Sequence, residues 1–344
     1  MSERTSLIVG LEGLELLPQE RSFLADARPA GIILFKRNLE SASQIRALVG
    51  AARDTIGADA LVLIDQEGGR VQRLRPPLGR ALPPASAYAA LYREAPDRAV
   101  RAAWLAARLL ADDLRDLGID TDCAPVLDVP VAGAHEIIGD RAYGTSPAQV
   151  VALGRAVGEG LMGGGVLPVI KHIPGHGRAT ADSHLELPVV GTSAAELEAS
   201  DFVPFRALAG MPAAMTAHVV YTAIDAERPA STSPAVTSRI IREHIGFDGL
   251  LMSDDLGMQA LKGGMRSRAE AVIAAGSDVA LHCSGVLAEM EQAAAGTPVL
   301  AGAAMRRFAS ALAVRAGREP YDRAEAEAEL ADVLARHAAG IESV

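Results

Sequence analysis

The sequence predicts an α/β fold, a single-domain (β/α)8 TIM-like barrel with extra C-terminal helices, from three observations. Eight short apolar runs recur along the chain with helical patterns between them. These runs are continuously apolar and do not alternate, as parallel strands covered on both faces do. Polar residues also gather at their C-terminal ends, where a barrel of this kind builds its active site. A doubly wound open sheet shares the alternation of strand and helix, but a barrel alone brings eight strand ends to one mouth.

Taken in order, the expected strands are Ser6–Gly10, Gly31–Phe35, Leu61–Asp65, Cys123–Leu127, Leu167–Ile170, Ala213–Thr216, Gly249–Met252 and Asp278–Leu281. Helices open at recognisable signals. Ser41-x-x-Gln44 and Ser193-x-x-Glu196 have capping-box form, and Ser146–Pro147 and Ser233–Pro234 place proline at the first helical position behind a cap. One domain is expected over 1–344, with the barrel at about 5–297 and further helices at about 298–344, among them the Ala/Glu-rich stretch 322–339. The polar strand ends are Asp65, Asp128, Lys171 with His172, His218, Asp254 and His282.

Composition narrows the function. The 344 residues are 49% hydrophobic and 22% charged, enough for a large core. A formal charge of −10, a pI near 5.3 and the lack of a Lys/Arg cluster disfavour nucleic acid. Cys123 and Cys283 lie far apart without metal-ligand or CxxC spacing, and read as two buried thiols of a reducing compartment. The N-terminal apolar run is too short for a signal sequence, and no run reaches the roughly 18 residues of a membrane span. A soluble, cytoplasmic monomer without membrane partner, metal or cofactor is the expectation.

The most informative stretch is Lys171 to Pro188, KHIPGHGRATADSHLELP, with three of the eight histidines. Pro174, Gly175 and Gly177 break regular structure, so His176, Asp182 and His184 ride on a long loop beyond a strand that ends in Lys171 and His172. In an extended segment Asp182 and His184 project to one side, so the carboxylate can accept the ring N–H and make His184 a proton shuttle near neutral pH. His176 and His218 read as satisfied core histidines. The same stretch allows two other uses: a metal held by His172, His176, His184 and Asp254, and a Schiff base on Lys171, which requires a lowered amine pKa. Pro174 and Gly175 exclude the helical geometry of an HExxH zinc site.

Three further stretches carry candidate chemistry. In DQEGGRVQR, Asp65 and Arg73 can hold sugar hydroxyls or a carboxylate, or simply pair with each other. Arg141 follows the fourth strand in IIGDRAYG. In MSDDLGM, successive strand side chains oppose each other, so at most one of Asp254 and Asp255 faces the mouth while the other caps a helix. A carboxylate nucleophile there, across from a mobile acid, is the arrangement of retaining glycosidases.

LIDQEGGRVQRL, CAPVLDV, KHIPGHGRATADSHLELP and MSDDLGM, in this order, resemble the bacterial β-N-acetylglucosaminidases (β-hexosaminidases) of glycoside hydrolase family 3 involved in peptidoglycan recycling. The resemblance implies that Asp254 is the nucleophile, that His184 partnered by Asp182 is the acid/base, and that Asp65, Arg73, Arg141, Lys171 and His172 grip the terminal sugar. It implies an exo-acting enzyme that removes non-reducing GlcNAc from muropeptides of the GlcNAc-anhydro-MurNAc type. The GRATADSH run and the segment 129–140 depart from the family's usual pattern, at no proposed catalytic position. The alternatives are a β-glucosidase or β-xylosidase on the same barrel, and a catalytically silent sugar-binding barrel. Related two-domain β-glucosidases draw their acid/base from a second domain, which this chain is expected to lack.

Overall fold

The computed structural model describes residues 3–183 and 185–341. Among these, eight parallel strands close a barrel: β1 (Thr5–Gly10), β2 (Pro29–Leu34), β3 (Leu61–Ile64), β4 (Thr121–Asp122), β5 (Leu167–Ile173), β6 (Ala213–Thr216), β7 (Leu250–Asp255) and β8 (Val279–His282). Each strand pairs with its neighbours in chain order, and β8 returns to β1. The two-residue period of a strand divides the apolar side chains between two cores. Ile8, Ile33, Leu61, Leu63, Val169, Met215, Met252 and Leu281 fill the interior. Leu7, Val9, Ile32, Leu34, Val62, Ile64, Ile170 and Leu251 face the helical shell. Both faces are therefore dry, which is why the strands read as unbroken apolar runs.

The shell helices are α1 (Pro18–Ala27), α2 (Ala42–Ile56), α3 (Ala85–Glu94), α4 (Pro96–Asp116), α5 (Pro147–Gly163), α6 (Ala194–Ala199), α7 (Phe202–Ala207), α8 (Met265–Ala274) and α9 (Leu287–Ala295). Ser41 caps α2 by accepting from Gln44 N, and Ser193 with Glu196 forms the expected capping box of α6. Proline opens α5 as expected, but Ser146 makes no side-chain cap. Beyond the barrel, α10 (Gly302–Ala313) and α11 (Arg323–Ile341) complete the chain. The run before α10 passes beside the start of β1, with Ser6 N donating to Pro298 O and Leu300 N to Arg4 O. Leu300, Phe308 and Ala311 consequently join the interior core and plug the N-terminal pole. Burying Phe308 fully there contributes about 1.5–3 kcal/mol.

The chain departs from the expected elements in three places. Regular β4 is Thr121–Asp122 and not Cys123–Leu127, because Pro125 has no N–H for the ladder. Pairing nevertheless continues irregularly, with Val169 N donating to Ala124 O and Leu127 N to Lys171 O. The helix after Ser233–Pro234 passes into a π-helical stretch, Val236–His244, although Ser233 Oγ does cap Val236 N. A hairpin of Gln66–Gly68 with Val71–Gln72 rises from the end of β3, turned by Gly68 and Gly69 at positive φ. No described helix is long and apolar enough to cross a membrane.

Candidate active site

At the C-terminal mouth the strand ends enclose a cavity of about 280 Å³, just under the roughly 300–1,000 Å³ usual for small-molecule sites. Interior strand residues Ile33, Met215 and Leu281 form part of its lining, with Asp65, Glu67, Arg73, Arg141, Lys171, His172, His176, Ser183, Asp254 and Asp255 as polar groups. That depth and polarity suit one sugar ring better than a chain of them.

One wall is a file of alternating charges: Arg141, Glu67, Lys171, Asp65, Arg73. Arg141 grips Glu67 with Nε and Nη2, each at 2.8 Å. Lys171 Nζ sits 2.7 Å from Glu67 Oε1 and 2.9 Å from Asp65 Oδ1, and Arg73 Nη2 donates to Asp65 Oδ2 at 3.0 Å. Burial alone would raise both carboxyls, but their cations win. Arg141 and Lys171 hold Glu67 at about 2, while Lys171 and Arg73 hold Asp65 far below the usual carboxylate range. Burial would likewise lower Lys171, yet Asp65 and Glu67 raise it above its ordinary value. Lys171 is therefore a fixed ammonium, and the Schiff-base reading fails because that chemistry requires a free amine. Phe35 lies between this wall and Arg37, with Arg73 and Arg37 at 5.3 and 4.9 Å from its ring centre.

Two ladder irregularities aim the next residues. The register against β6 shifts between Lys171 and Ile173, so Lys171 and His172, adjacent in β5, both line the cavity. His172 Nδ1 meets Asp128 Oδ2 at 2.7 Å, while the backbone N–H groups of His172 and His176 donate to Asp128 Oδ1 at 3.2 and 2.6 Å. Against burial, His172 and His176 hold the Asp128 carboxyl at about 2. The ionised acid fixes Nδ1 as the donor and leaves Nε2 as the ring atom for a ligand.

A second shift, between Met252 and Asp255 on the β8 side of β7, places both Asp254 and Asp255 on the cavity, where alternation allows only one. Their tasks still divide. Asp255 Oδ1 accepts from Gly257 N and Cys283 N, both at 3.0 Å, as a capping carboxylate does. Asp254 Oδ1 accepts only from Asp255 N, at 2.8 Å, among the described residues. Burial pushes the Asp254 carboxyl up, but His218, His172 and Lys171 together with that N–H bring it below its ordinary value.

His218 is a satisfied core histidine, with Ser231 Oγ at 2.6 Å and Asp255 O at 3.0 Å. His176 is not, since it lines the cavity and its Nδ1 lacks a partner among the described residues. Burial, with neighbouring His172 acting in the same direction, holds its pKa at about 4. Cys123 is buried in the barrel interior, whereas Cys283 is only half-buried and lines the cavity; both are free thiols.

The loop after β5 reaches the same cavity. Ser183 lines it and meets His176 Nε2 at 3.2 Å, and Ser183 O accepts from Ala260 N in the segment after β7. His184 lies outside the described residues. Around Asp182 the backbone turns, its carbonyl accepting from Leu185 N and Glu186 N, in place of the extended run expected there. The 129–140 segment is hydrogen-bonded to this loop, Val131 N donating to Gly177 O and His135 N to Ala179 O, and its Ile137 and Ile138 border the cavity. Arg70 fastens that segment through the carbonyls of Glu136, Ile137 and Ile138 and through Asp140, and Arg141 Nη1 takes Ile137 O. Among the described residues no group of three or more His, Cys, Asp and Glu is arranged to hold a metal ion.

Residues 10–311, which include every one of these groups, match the model of the glycosyl hydrolase family 3 N-terminal domain. The chain belongs to glycoside hydrolase family 3. It is 43% identical over 282 residues to the β-hexosaminidase of Alkalilimnicola ehrlichii, covering 81% of this chain and 80% of that one. It also matches the crystal structure of native NagZ from Neisseria gonorrhoeae with a TM-score of 0.86 and 33% identity, over 96% of this chain and 98% of that one. The same NagZ in complex with N-trifluoroacetyl-D-glucosamine matches equally well. This family 3 chain is accordingly a glycoside hydrolase of the β-N-acetylhexosaminidase type.

Six site residues expected from the sequence, Asp65, Arg73, Arg141, Lys171, His172 and Asp254, meet in the family 3 cavity. Sequence reasoning missed Glu67 altogether and took Asp128 only as a strand end. The signal for Glu67 was its spacing from Asp65, since residues two apart in extended backbone share a side.

Proposed function

We propose that this hydrolase is a retaining exo-β-N-acetylglucosaminidase of the cytoplasm, removing terminal non-reducing GlcNAc from peptidoglycan-derived muropeptides of the GlcNAc-anhydro-MurNAc type. The observation that carries the proposal is Asp254: a carboxylate favoured in its ionised form, beside a one-sugar cavity, facing a wall of hydroxyl-binding charges. Asp65, Arg73, Arg141, Lys171 and His172 orient the ring through charge-assisted hydrogen bonds. Asp254 attacks the anomeric carbon as the glycosidic C–O bond breaks, and His184 gives its proton to the departing oxygen. Water then yields a proton to His184 and attacks the same carbon, releasing Asp254. Asp182 serves as the partner that orients and charges His184. The position of Ser183 at the cavity supports delivery of His184 by this loop.

The test is chemical trapping. An activated fluorinated N-acetylglucosaminide should add one sugar mass to the wild type, on the peptide that carries Asp254, and nothing to Asp254→Asn. Aryl β-N-acetylglucosaminide should be hydrolysed far faster than aryl β-glucoside, with chelator and without it. A label on another residue, or preference for the glucoside, would overturn the assignment.

A further inference from the structure

We infer that Glu67 is a positioning residue of this site: it locks Lys171 and Arg141 into one rigid pair of sugar-binding donors and walls the cavity off from the small voids behind it. The inference rests on the proposed role of those two cations in binding the sugar. Three observations carry it.

The first is valence. The Glu67 side chain is largely covered, Arg141 takes both of its carboxylate oxygens, and Lys171 shares Oε1. Three of the carboxylate's roughly four acceptor positions are so occupied, and held ionised it has no proton to give. It acts through its partners. The barrel drives two cations into one wall, and the acid between them turns mutual repulsion into a fixed spacing.

The second is the rigidity of its mounting. On one side Gln66 N donates to the buried Asp122, while the Gln66 side chain accepts from Arg73 N and Leu74 N and donates to Leu74 O. On the other side Gly68, at φ +99°, lies so close to Pro83 that an added Cβ would stand 2.4 Å from its carbonyl oxygen. With both neighbours pinned, the Glu67 side chain emerges from backbone that has little freedom to move.

The third is what lies behind it. Glu67 lines the sugar cavity and also two water-sized voids of about 10 and 20 Å³, which share Ala124 and Tyr143, the larger of them reaching Asp122. Asp122 is fully buried, and its Oδ2 has no partner among the described residues. Losing the Glu67 carboxylate frees Lys171 and Arg141 to turn away from the sugar toward this space.

The experiment compares Glu67→Gln and Glu67→Asp with the wild type in three readings. KM and kcat are measured on an aryl β-N-acetylglucosaminide, and Kd for N-trifluoroacetyl-D-glucosamine by fluorine NMR. The exchange protection of the Arg141 Nε–H is followed by nitrogen-15 NMR, a reading that needs no turnover. Glu67→Gln, which keeps the shape and loses the charge, should raise KM and Kd at least about tenfold, lower kcat only about threefold or less, and abolish the protection. Glu67→Asp should recover part of each effect by restoring the charge, and it replaces Glu67→Gln should that variant fail to fold. KM, Kd and Arg141 protection all within about twofold of wild type would overturn the inference. So would a collapse of kcat at unchanged Kd, the signature of a proton-transfer group. A wild type that binds the sugar without hydrolysing it would sink the proposed reaction and leave the Kd and Arg141 protection readings intact.

Discussion

Replacing Asp128 by Asn keeps volume and shape but exchanges an acceptor for a donor at one atom. Asp128 Oδ1 accepts the backbone N–H groups of His172 and His176, an arrangement the Asn carbonyl can retain. Oδ2, 2.7 Å from His172 Nδ1, becomes an NH2 group, so Nδ1 must turn acceptor and the ring proton moves to Nε2. The ring then presents a donor where it had presented a lone pair, and it loses the anion that supports a positive charge. A hydrogen bond to a charged group is worth about 1.5–3 kcal/mol, so kcat/KM on an aryl β-N-acetylglucosaminide should fall between about tenfold and a hundredfold or slightly more. The melting temperature should drop modestly, because the backbone donors stay satisfied. Steady-state kinetics at pH 5 to 8 and a thermal melt measure both. A kcat/KM within about twofold of wild type, with an unchanged pH profile, would refute the claim that Asp128 governs the tautomer of His172.

Two other outcomes follow, one from the proposed reaction and one from the buried titratable groups. His184→Ala should retain much more of its glycosylation rate with an activated aryl leaving group than with a disaccharide, and should show a steeper dependence on leaving-group pKa; parallel slopes for variant and wild type would place the proton elsewhere. Stability should fall in two stages on acidification. His176 is held at about 4 against an ordinary 6.5, so below pH 6.5 the unfolded chain binds the proton first and the fold loses ground down to about pH 4. Glu67 and Asp128, both depressed to about 2, contribute stability above the ordinary carboxylate range that is lost as pH falls toward 2. Melting temperatures from pH 7 to 3 should trace both stages, with the upper one smaller in His176→Gln; no change between pH 6.5 and 4 would count against the buried neutral imidazole.

The barrel was legible because its physics is local in sequence. Strands wet on neither face must be apolar throughout, and the sixth, Ala213–Thr216, matches its expected bounds residue for residue. The convergence of Asp65, Lys171, His172 and Asp254 was legible for a topological reason, since closure of the sheet brings all strand ends together. What stayed hidden depends on pairing. Both Asp254 and Asp255 reach the cavity only because the ladder slips between Met252 and Asp255, and nothing within MSDDLGM announces that slip. The irregular continuation of β4 past Pro125 is set by donors and an acceptor on β5 that lie far along the chain. Glu67 was hidden differently. Its importance lies in the two cations it joins, and these come from the fourth and fifth units of the barrel.

The way Arg70 holds the Glu136–Ile138 segment has an evolutionary side. It fastens carbonyl oxygens, and every one of the twenty residue types supplies the same carbonyl. An exposed side chain such as that of Glu136 can therefore be exchanged by mutation while these carbonyl attachments persist. Lineages can rewrite the rim beside the sugar, where Ile137 and Ile138 now stand, and try new aglycones without disturbing the inherited grip on the ring.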